Sequence, residues 1–542
     1  LFLIEYCKKS DEYEQIEEVW PDIQNFLKDV FSNVSYYKHI YSNILRFFCV
    51  ISWKIEKTKF GQSRRVKKEI SENLIRNISQ CITIKIGPNQ NTNTLSAVML
   101  QSHVNDIDNE KSSSNHNSIH SNVNNGTISG GSVSSREKLV FREDVCIALK
   151  EVIPYLKPLI NDNDKLLATL NSIINGISTF ILKNGSLVSA NLPDHIVDLL
   201  VVLSEDETCE SMKAWKSLCQ EILNDDIGFF SIDVSKMGKW NIVMKNWILS
   251  AEQRLGDMIS NRLIFSSGAN NSSTLLFNWN DEVEILNGNI PLIKKIIYLL
   301  LINEKDEFIG IIGDLLRKLD DLFKAFRQMT KQHCQLESWI LILLRTIFFK
   351  FSESHLTEAW SLVDKELFYM FNEAYLKVVE EAEEDNDEMK DKTDKTERGV
   401  KDEEDQKVFD MLFLQGCKLL DVLVVLGQGE FQLSEWIFIS DNMDGIFNSS
   451  VEGEDVGIVY KMGKRHTKYK VGKNGGVSED AGGASHKKKV PILTGIRSIE
   501  NVMELKRFFN MLKVRKYENE YAMKTVDEES IFADVFADVF TA

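Results

Sequence analysis

Proline is nearly missing from this chain, with 7 in 542 residues, and 12 of its 28 glycines fall in just two segments, 88–135 and 448–495. Long stretches are therefore free of helix breakers, strand signals are almost absent, and helix is expected to dominate. No apolar run reaches the roughly 18 residues that a membrane-spanning helix needs. The best one, Trp339 to Phe349, is interrupted by Arg345, so any membrane association is expected to be peripheral. The eight cysteines, at 7, 49, 81, 146, 209, 219, 334 and 417, include no CxxC pair. Scattered thiols of this kind suit a reducing, cytosolic compartment. GxxxxGK[ST], GxGxxG and GxSxG are all absent, so neither a phosphate cradle nor a nucleophile elbow is signalled. The chain opens at Leu1 with no basic-then-apolar leader and reads as a piece of a longer protein.

What the chain has is apolar mass, 43% of its residues, at a length too great for one core. The fold class expected is all-α, an irregular α-solenoid of HEAT or armadillo-like helix pairs with long disordered insertions. A fixed repeat period is not visible, so the solenoid follows by elimination. Residues 1–87 form a helical segment in which Ile16, Val19, Trp20, Ile23, Phe26, Leu27 and Val30 recur at helical spacing. Residues 88–135 form an Asn/Ser-rich insertion whose composition cannot offset its ordering entropy. An α-solenoid region follows at 136–380, with helices expected near 137–152, 163–183, 194–203, 206–223, 239–265, 290–303, 305–329, 333–350 and 354–380. Beyond it lie an acidic linker at 381–406, a helical segment at 407–447, a Gly/Lys-rich disordered loop at 448–492, a C-terminal helix at 493–518 and an acidic tail at 519–542.

The net charge of −17 argues against a chain built throughout to coat nucleic acid, but the charge is uneven. Residues 380–405 hold 14 acids and 5 bases, whereas Lys54 to Lys68 holds seven bases and one acid. Within that basic cluster Lys57, Lys59, Arg64, Arg65, Lys67 and Lys68 are the candidate contacts for anionic lipid or a partner, at about 1 kcal/mol per base near such a surface. The plainer reading is a solvated loop and first helical turn beside Glu56, Glu69 and Glu72. A second basic segment, Lys461 to Lys489 with Tyr460 and Tyr469 close by, reads first as a soluble loop. The apolar series Ile312, Leu315, Leu319, Leu322, Phe326 and Met329 fits a heptad but is too short for a seam, which favours an internal helix. The tryptophans Trp240, Trp247, Trp339 and Trp360 read as core before interface. His116 and His120 have metal-pair spacing without a third ligand, and neither His333 with Cys334 nor Asp320 with Asp321 has a positioned base or oxyanion donor. No catalytic, cofactor-binding or metal residue is assigned.

Several runs resemble one family. The stretch QLESWILILLRTIFFKFSESHLTEAWSLVDKELFYMF, Gln335 to Phe371, is similar to the late helical region of the Dopey family. The segment GCKLLDVLVVLGQGEFQLSEWIFI, Gly416 to Ile439, follows an acid-rich stretch as in that family, with Phe431, Gln432 and Trp436 in matching order. AWKSLCQEILNDDIGFFSIDVSKMGKW from Ala214, KTKFGQSRRVKKEISENLIRN from Lys57, and VPILTGIRSIENVMELKRFF near the end add to it. The Asn/Ser insertion and the Gly/Lys loop depart from the pattern, in surface loops where length costs little.

The resemblance implies the C-terminal region of a large, non-enzymatic peripheral protein of Golgi and endosome membranes, with the family's N-terminal domain not included. It implies a scaffold in vesicle-mediated transport between endosomes and Golgi, and in cell morphogenesis. The partners it implies are a Sec7-related Golgi scaffold protein, a type IV P-type ATPase that flips aminophospholipids, and an anionic membrane surface. No cofactor or nucleic acid is implied, and self-association is left open. The alternative from the residues alone is a helical-repeat adaptor binding cargo or nucleic acid through a basic face.

Overall fold

The structure is a computed structural model that describes residues 4–5, 9, 14–83, 143–183, 192–250, 252–262, 288–328, 334–387, 398–439, 488–521 and 525–541. The expected insertion at 88–135 and nearly all of the loop at 448–492 lie outside these residues, as do His116, His120 and His333. The fold is all-α and solenoid-like. No strand occurs among the described residues, where one isolated parallel bridge joins Lys489 and Val526. The chain divides into two compact units, Leu1–Val188 with Leu192–Leu218, and Ser189–Asn191 with Cys219–Ala542.

In the first unit the main helices are α1 (Glu14–Ser32), α2 (Tyr41–Glu56), α3 (Arg64–Thr83), α4 (Glu143–Val152), α5 (Asn163–Lys183) and α6 (Asp194–Ser204). Helices α2, α4 and α6 pack in one row and α3 against α5 in a second, with α2 on α3 joining the rows. This alternation is how helix pairs stack in a solenoid. Helix α3 shows why the sequence folds this way: Val66, Ile70, Leu74, Ile78 and Cys81, spaced three or four apart, are all buried, with Ser71 and Asn77 beside them on the same face. Polar links reinforce the first row. The Arg46 guanidinium donates twice to Glu151, at 3.0 and 2.5 Å, and Ser42 donates to Asp144 at 2.7 Å.

Helix α7 (Lys213–Asn224) spans the division between the units. The second unit continues with α8 (Val234–Leu249), α9 (Glu252–Asp257, running into a π turn at Met258–Arg262), α10 (Ile290–Ile302) and α11 (Ile309–Gln328). Then come α12 (Cys334–Lys350), α13 (Thr357–Asp387), α14 (Arg398–Leu426), α15 (Gly429–Ile439), α16 (Lys506–Tyr521) and α17 (Glu528–Thr541). One row runs α8, α10, α12, α14, α16, and a second runs from the π turn through α11 and α13 to α15. Helix α12 lies deepest, with every residue from Ser338 to Phe348 buried, because neighbours in its own row flank it and α17 packs across it and α10.

Boundaries shift where local polar groups override periodicity. The helix expected at 239–265 begins at Val234, since the Asp233 carboxylate accepts from the Ser235 N–H. It stops at Ser250, which donates its hydroxyl to Trp247 O. The helix expected from 305 starts only at Ile309, because Asp306, at φ 63°, turns to accept from Ser352 N–H at 2.6 Å and from its hydroxyl. Within the expected acidic linker, 381–387 and 398–406 are helical. The expected acidic tail is corrected most: Glu528–Thr541 is helix α17, with Ile531, Val535, Phe536 and Val539 in the core. Trp240, Trp247, Trp339 and Trp360 are core, and Ile312, Leu315, Leu319 and Leu322 are buried inside the unit instead of forming an outward seam.

Candidate functional site

The six basic candidates all fall on one corner, from the end of α2 into the first turn of α3. Gly61 makes the corner close: a Cβ there would stand 1.8 Å from Ile55 O, so any side chain forces the turn open. Thr58 donates its hydroxyl to Ile55 O at 2.8 Å and accepts from Gly61 N–H at 3.1 Å. Gln62 donates its amide to Glu56 O at 2.6 Å and Glu56 Oε1 at 2.9 Å, and Ser63 Oγ accepts from Val66 N–H at 3.3 Å as the N-cap of α3. The turn is thus held by its own hydrogen bonds.

On this fixed turn Lys57, Lys59, Arg64, Arg65 and Lys68 are exposed and Lys67 is half-buried, whereas Lys54 turns inward. Lys57 lies 4.5 Å above the Trp53 ring, itself 5.3 Å from Tyr155. Arg65 pairs with Glu69 at 2.9 Å, and Lys68 comes within 3.9 Å of Glu72. Glu69 also accepts from Trp20 Nε1 at 3.4 Å, so the nearby acids are partly engaged. Exposed pairs of this kind contribute about 0–1 kcal/mol and leave the net charge on display. Helix α3 has no acid in its first turn and starts with two arginines. The positive end of a helix dipole disfavours cations there, so stability does not account for them. What the corner displays is positive charge on a fixed turn. No described cluster of His, Cys, Asp or Glu could hold a metal ion.

A second constellation escaped the sequence reading. Arg345 in α12 and Lys418 in α14, both almost fully buried, meet Asp534 and Asp538 on α17. Lys418 Nζ lies 3.1 Å from Asp534 Oδ2 and from Asp538 Oδ2; Arg345 donates to Asp538 and its Nη1 stands 3.4 Å from Asp534. Arg497, a third exposed, closes the edge at 2.9 and 2.5 Å, and Gly495 N–H donates to Asp534 at 2.6 Å. Burial alone would raise Asp534, but Lys418, Arg345, Arg497 and the Gly495 N–H together hold it down at about 2. Burial draws Lys418 below its ordinary range against the opposite pull of the two carboxylates. One turn on from Lys418, Asp421 is fully buried and accepts from Leu493 N–H at 2.7 Å. Burial pushes its carboxyl up to about 7, against that hydrogen bond and the charge of Arg515. The signal was present in two places: an arginine inside an apolar run, and FADVFADVF from Phe532 to Phe540, whose period of four sets two aspartates on one face. The cluster ties α12, α14, α17 and the segment around Arg497 together.

Two outcomes follow. Gly61→Ala is expected to lower stability by at least about 1–3 kcal/mol, read as a drop in the denaturation midpoint of the first unit, because the new methyl displaces the Ile55 carbonyl. For Asp421, a folded pKa near 7 above the ordinary 3.8 means that the folded state keeps its proton where the unfolded chain has lost it. This contribution to stability is fully present below about pH 4, falls as pH rises and is gone above about 7. Asp421→Asn, which still accepts from Leu493, is expected to raise the unfolding free energy at pH 8 more than at pH 5. A gain independent of pH in urea titrations would contradict the assignment.

The family described as DOP1 C-terminal matches residues 2–522. The chain is 24% identical over 563 residues to protein dop1 of Emericella nidulans, covering 99% of this chain and 26% of that one. It is 24% identical over 548 residues to protein DOP1 of Saccharomyces cerevisiae, covering 100% of this chain and 27% of the other. A DOP1 homolog of Drosophila pseudoobscura pseudoobscura is 19% identical over 309 residues, 55% of this chain and 11% of its own. The chain thus spans about a quarter of the length of the two fungal relatives. No solved structure matches. With its helical rows matched almost from end to end, this chain belongs to the Dopey family, in the part described as DOP1 C-terminal.

Proposed function

We propose that the chain is part of a non-catalytic scaffold in vesicle-mediated transport between endosomes and the Golgi, held peripherally on those membranes and contributing to cell morphogenesis. Family membership supports that setting. In this reading a Sec7-related Golgi scaffold and a type IV P-type ATPase flippase are the protein partners. The chain's own contribution is to present a rigid basic corner, Lys57, Lys59, Arg64, Arg65, Lys67 and Lys68, to anionic headgroups. The carrying observation is that Arg64, Arg65 and Lys67 crowd the first turn of α3 with Lys68 just after it, where the helix dipole opposes them, on a turn fixed by Gly61 and Thr58. No helix among the described residues is long and apolar enough to cross a membrane.

Co-flotation of the chain with vesicles of graded phosphatidylserine content tests this. The unaltered chain is expected to float in proportion to anionic lipid, and less at 0.15 M than at about 0.02 M salt, as Debye screening requires. Changing Arg64, Arg65, Lys67 and Lys68 together to Glu is expected to lower bound protein by about tenfold or more. Failure of both proteins to float overturns the membrane reading. RNA binding abolished by the same four changes would favour the adaptor reading.

A further inference from the structure

Ser63 stands in the middle of the basic corner, with Lys57 and Lys59 before it and Arg64, Arg65, Lys67 and Lys68 after it. It is exposed, as are Gln62, Arg64 and Arg65, so four consecutive residues lie open where α3 begins. Its hydroxyl oxygen accepts from Val66 N–H at 3.3 Å, a long hydrogen bond at a helix end, where the first turn opens readily. The other hydroxyl of the corner is engaged differently. Thr58 is half-buried and both donates to Ile55 O and accepts from Gly61 N–H, inside the turn that holds the corner closed. Of the cations, Arg65 and Lys68 lie beside Glu69 and Glu72, and Lys57 lies over Trp53. Lys59, Arg64 and Lys67 have no ion pair among the described residues.

We propose that Ser63 is a phosphorylation site and that its modification releases the corner from anionic membrane. The proposal rests on the membrane reading above and supplies its regulation. A kinase that selects lysine and arginine around its serine meets that pattern here on an exposed stretch. In the transfer, Ser63 Oγ bonds to the γ-phosphorus of ATP, the bond from that phosphorus to the β-phosphate oxygen breaks, the hydroxyl proton passes to the kinase's base and ADP leaves. The new phosphate carries about −1.5 to −2 charges at pH 7 and so offsets about two of the bases. It arrives at the start of α3, where the helix dipole opposes the bases but favours an anion, so the displayed charge falls while the helix keeps its start. Loss of a basic patch's charge by phosphorylation is a general way of releasing it from anionic lipid. A phosphate on Thr58, by contrast, has to displace the hydrogen bonds that close the turn, so the exposed serine is the residue assigned.

The test uses the full chain in three forms: unmodified, with phosphoserine encoded at position 63, and as Ser63→Asn, which keeps a neutral side-chain acceptor at the helix start. Binding to phosphatidylserine vesicles is expected to weaken about tenfold on phosphorylation and to be unchanged in Ser63→Asn. The melting midpoint of the phosphorylated chain is expected to be no lower than that of the unmodified one. In parallel, the catalytic fragment of protein kinase C with magnesium and ATP, which selects serines flanked by bases, is expected to place phosphate on Ser63, located by peptide mass spectrometry. Equal binding of the phosphorylated and unmodified chains overturns the switch and leaves the membrane reading standing. An equal loss in Ser63→Asn, or a lowered midpoint in the phosphorylated chain, overturns it too, because the helix start and not the charge is then at work. Absence of phosphate from Ser63 after kinase treatment overturns its assignment as a modification site. No binding by the unmodified chain overturns both readings.

Discussion

An arginine at the centre of a buried helix constrains everything packed around it. Arg345 sits where α12 is covered on every side, so its charge has no water to reach and must be met by carboxylates from elsewhere. Asp534 and Asp538 supply them, which requires α17 to lie across α10 and α12 at one register. A one-residue slip would turn both aspartates away. Lys418 and Arg497 join the same two carboxylates and add α14 and the segment before α16 to the network. Buried ion pairs of this sort add little to net stability compared with apolar packing, but removing one partner costs about 3–5 kcal/mol, so the cluster acts chiefly to select one arrangement.

The remaining contacts follow from that register. With α17 in place, Phe540 lies 5.6 Å from Phe230 and from Tyr298, and Phe532, Phe536 and Phe540 stack along the helix. Leu493 is drawn in to donate to Asp421, and Phe508 and Phe509 fill the space beside Phe371. At the end of α10, Lys350 donates to the carbonyls of Leu301 and Asn303, groups that helix geometry leaves without partners. The charges inside this unit are consumed by its own architecture. Those of the α2–α3 corner are held outward on a turn closed by backbone and side-chain hydrogen bonds, and the proposal of a binding surface there rests on this difference.

Much of this was legible in the letters. Periodic apolar residues placed α5 at 163–183 and α12 within a residue of its observed start, because a buried stripe leaves a strong period of 3.6. The basic corner was legible because its six residues are neighbours in sequence. The ionic cluster was not, since its members are separated by as many as 193 positions and each looks ordinary alone. Arg345 read only as a break in an apolar run, and the last segment read only as an acidic tail. Composition counts charges without saying which will be matched. Asp233 and Asp306 moved helix boundaries for a related reason: a single carboxylate accepting from a backbone N–H decides where a helix begins, and periodicity does not register it.

Buried charges fix one packing in the second unit, and the α2–α3 corner of the first is proposed to meet an anionic surface without rearranging either unit. Hydrogen exchange followed by mass spectrometry over the whole chain, with and without phosphatidylserine vesicles, measures this most directly. Slowed exchange is expected at 57–68, with α12, α14, the segment around Arg497 and α17 exchanging at the same rate in both conditions. Faster exchange in α17 or around Arg497 on vesicle binding would contradict it, because the cluster would then open as part of recognition.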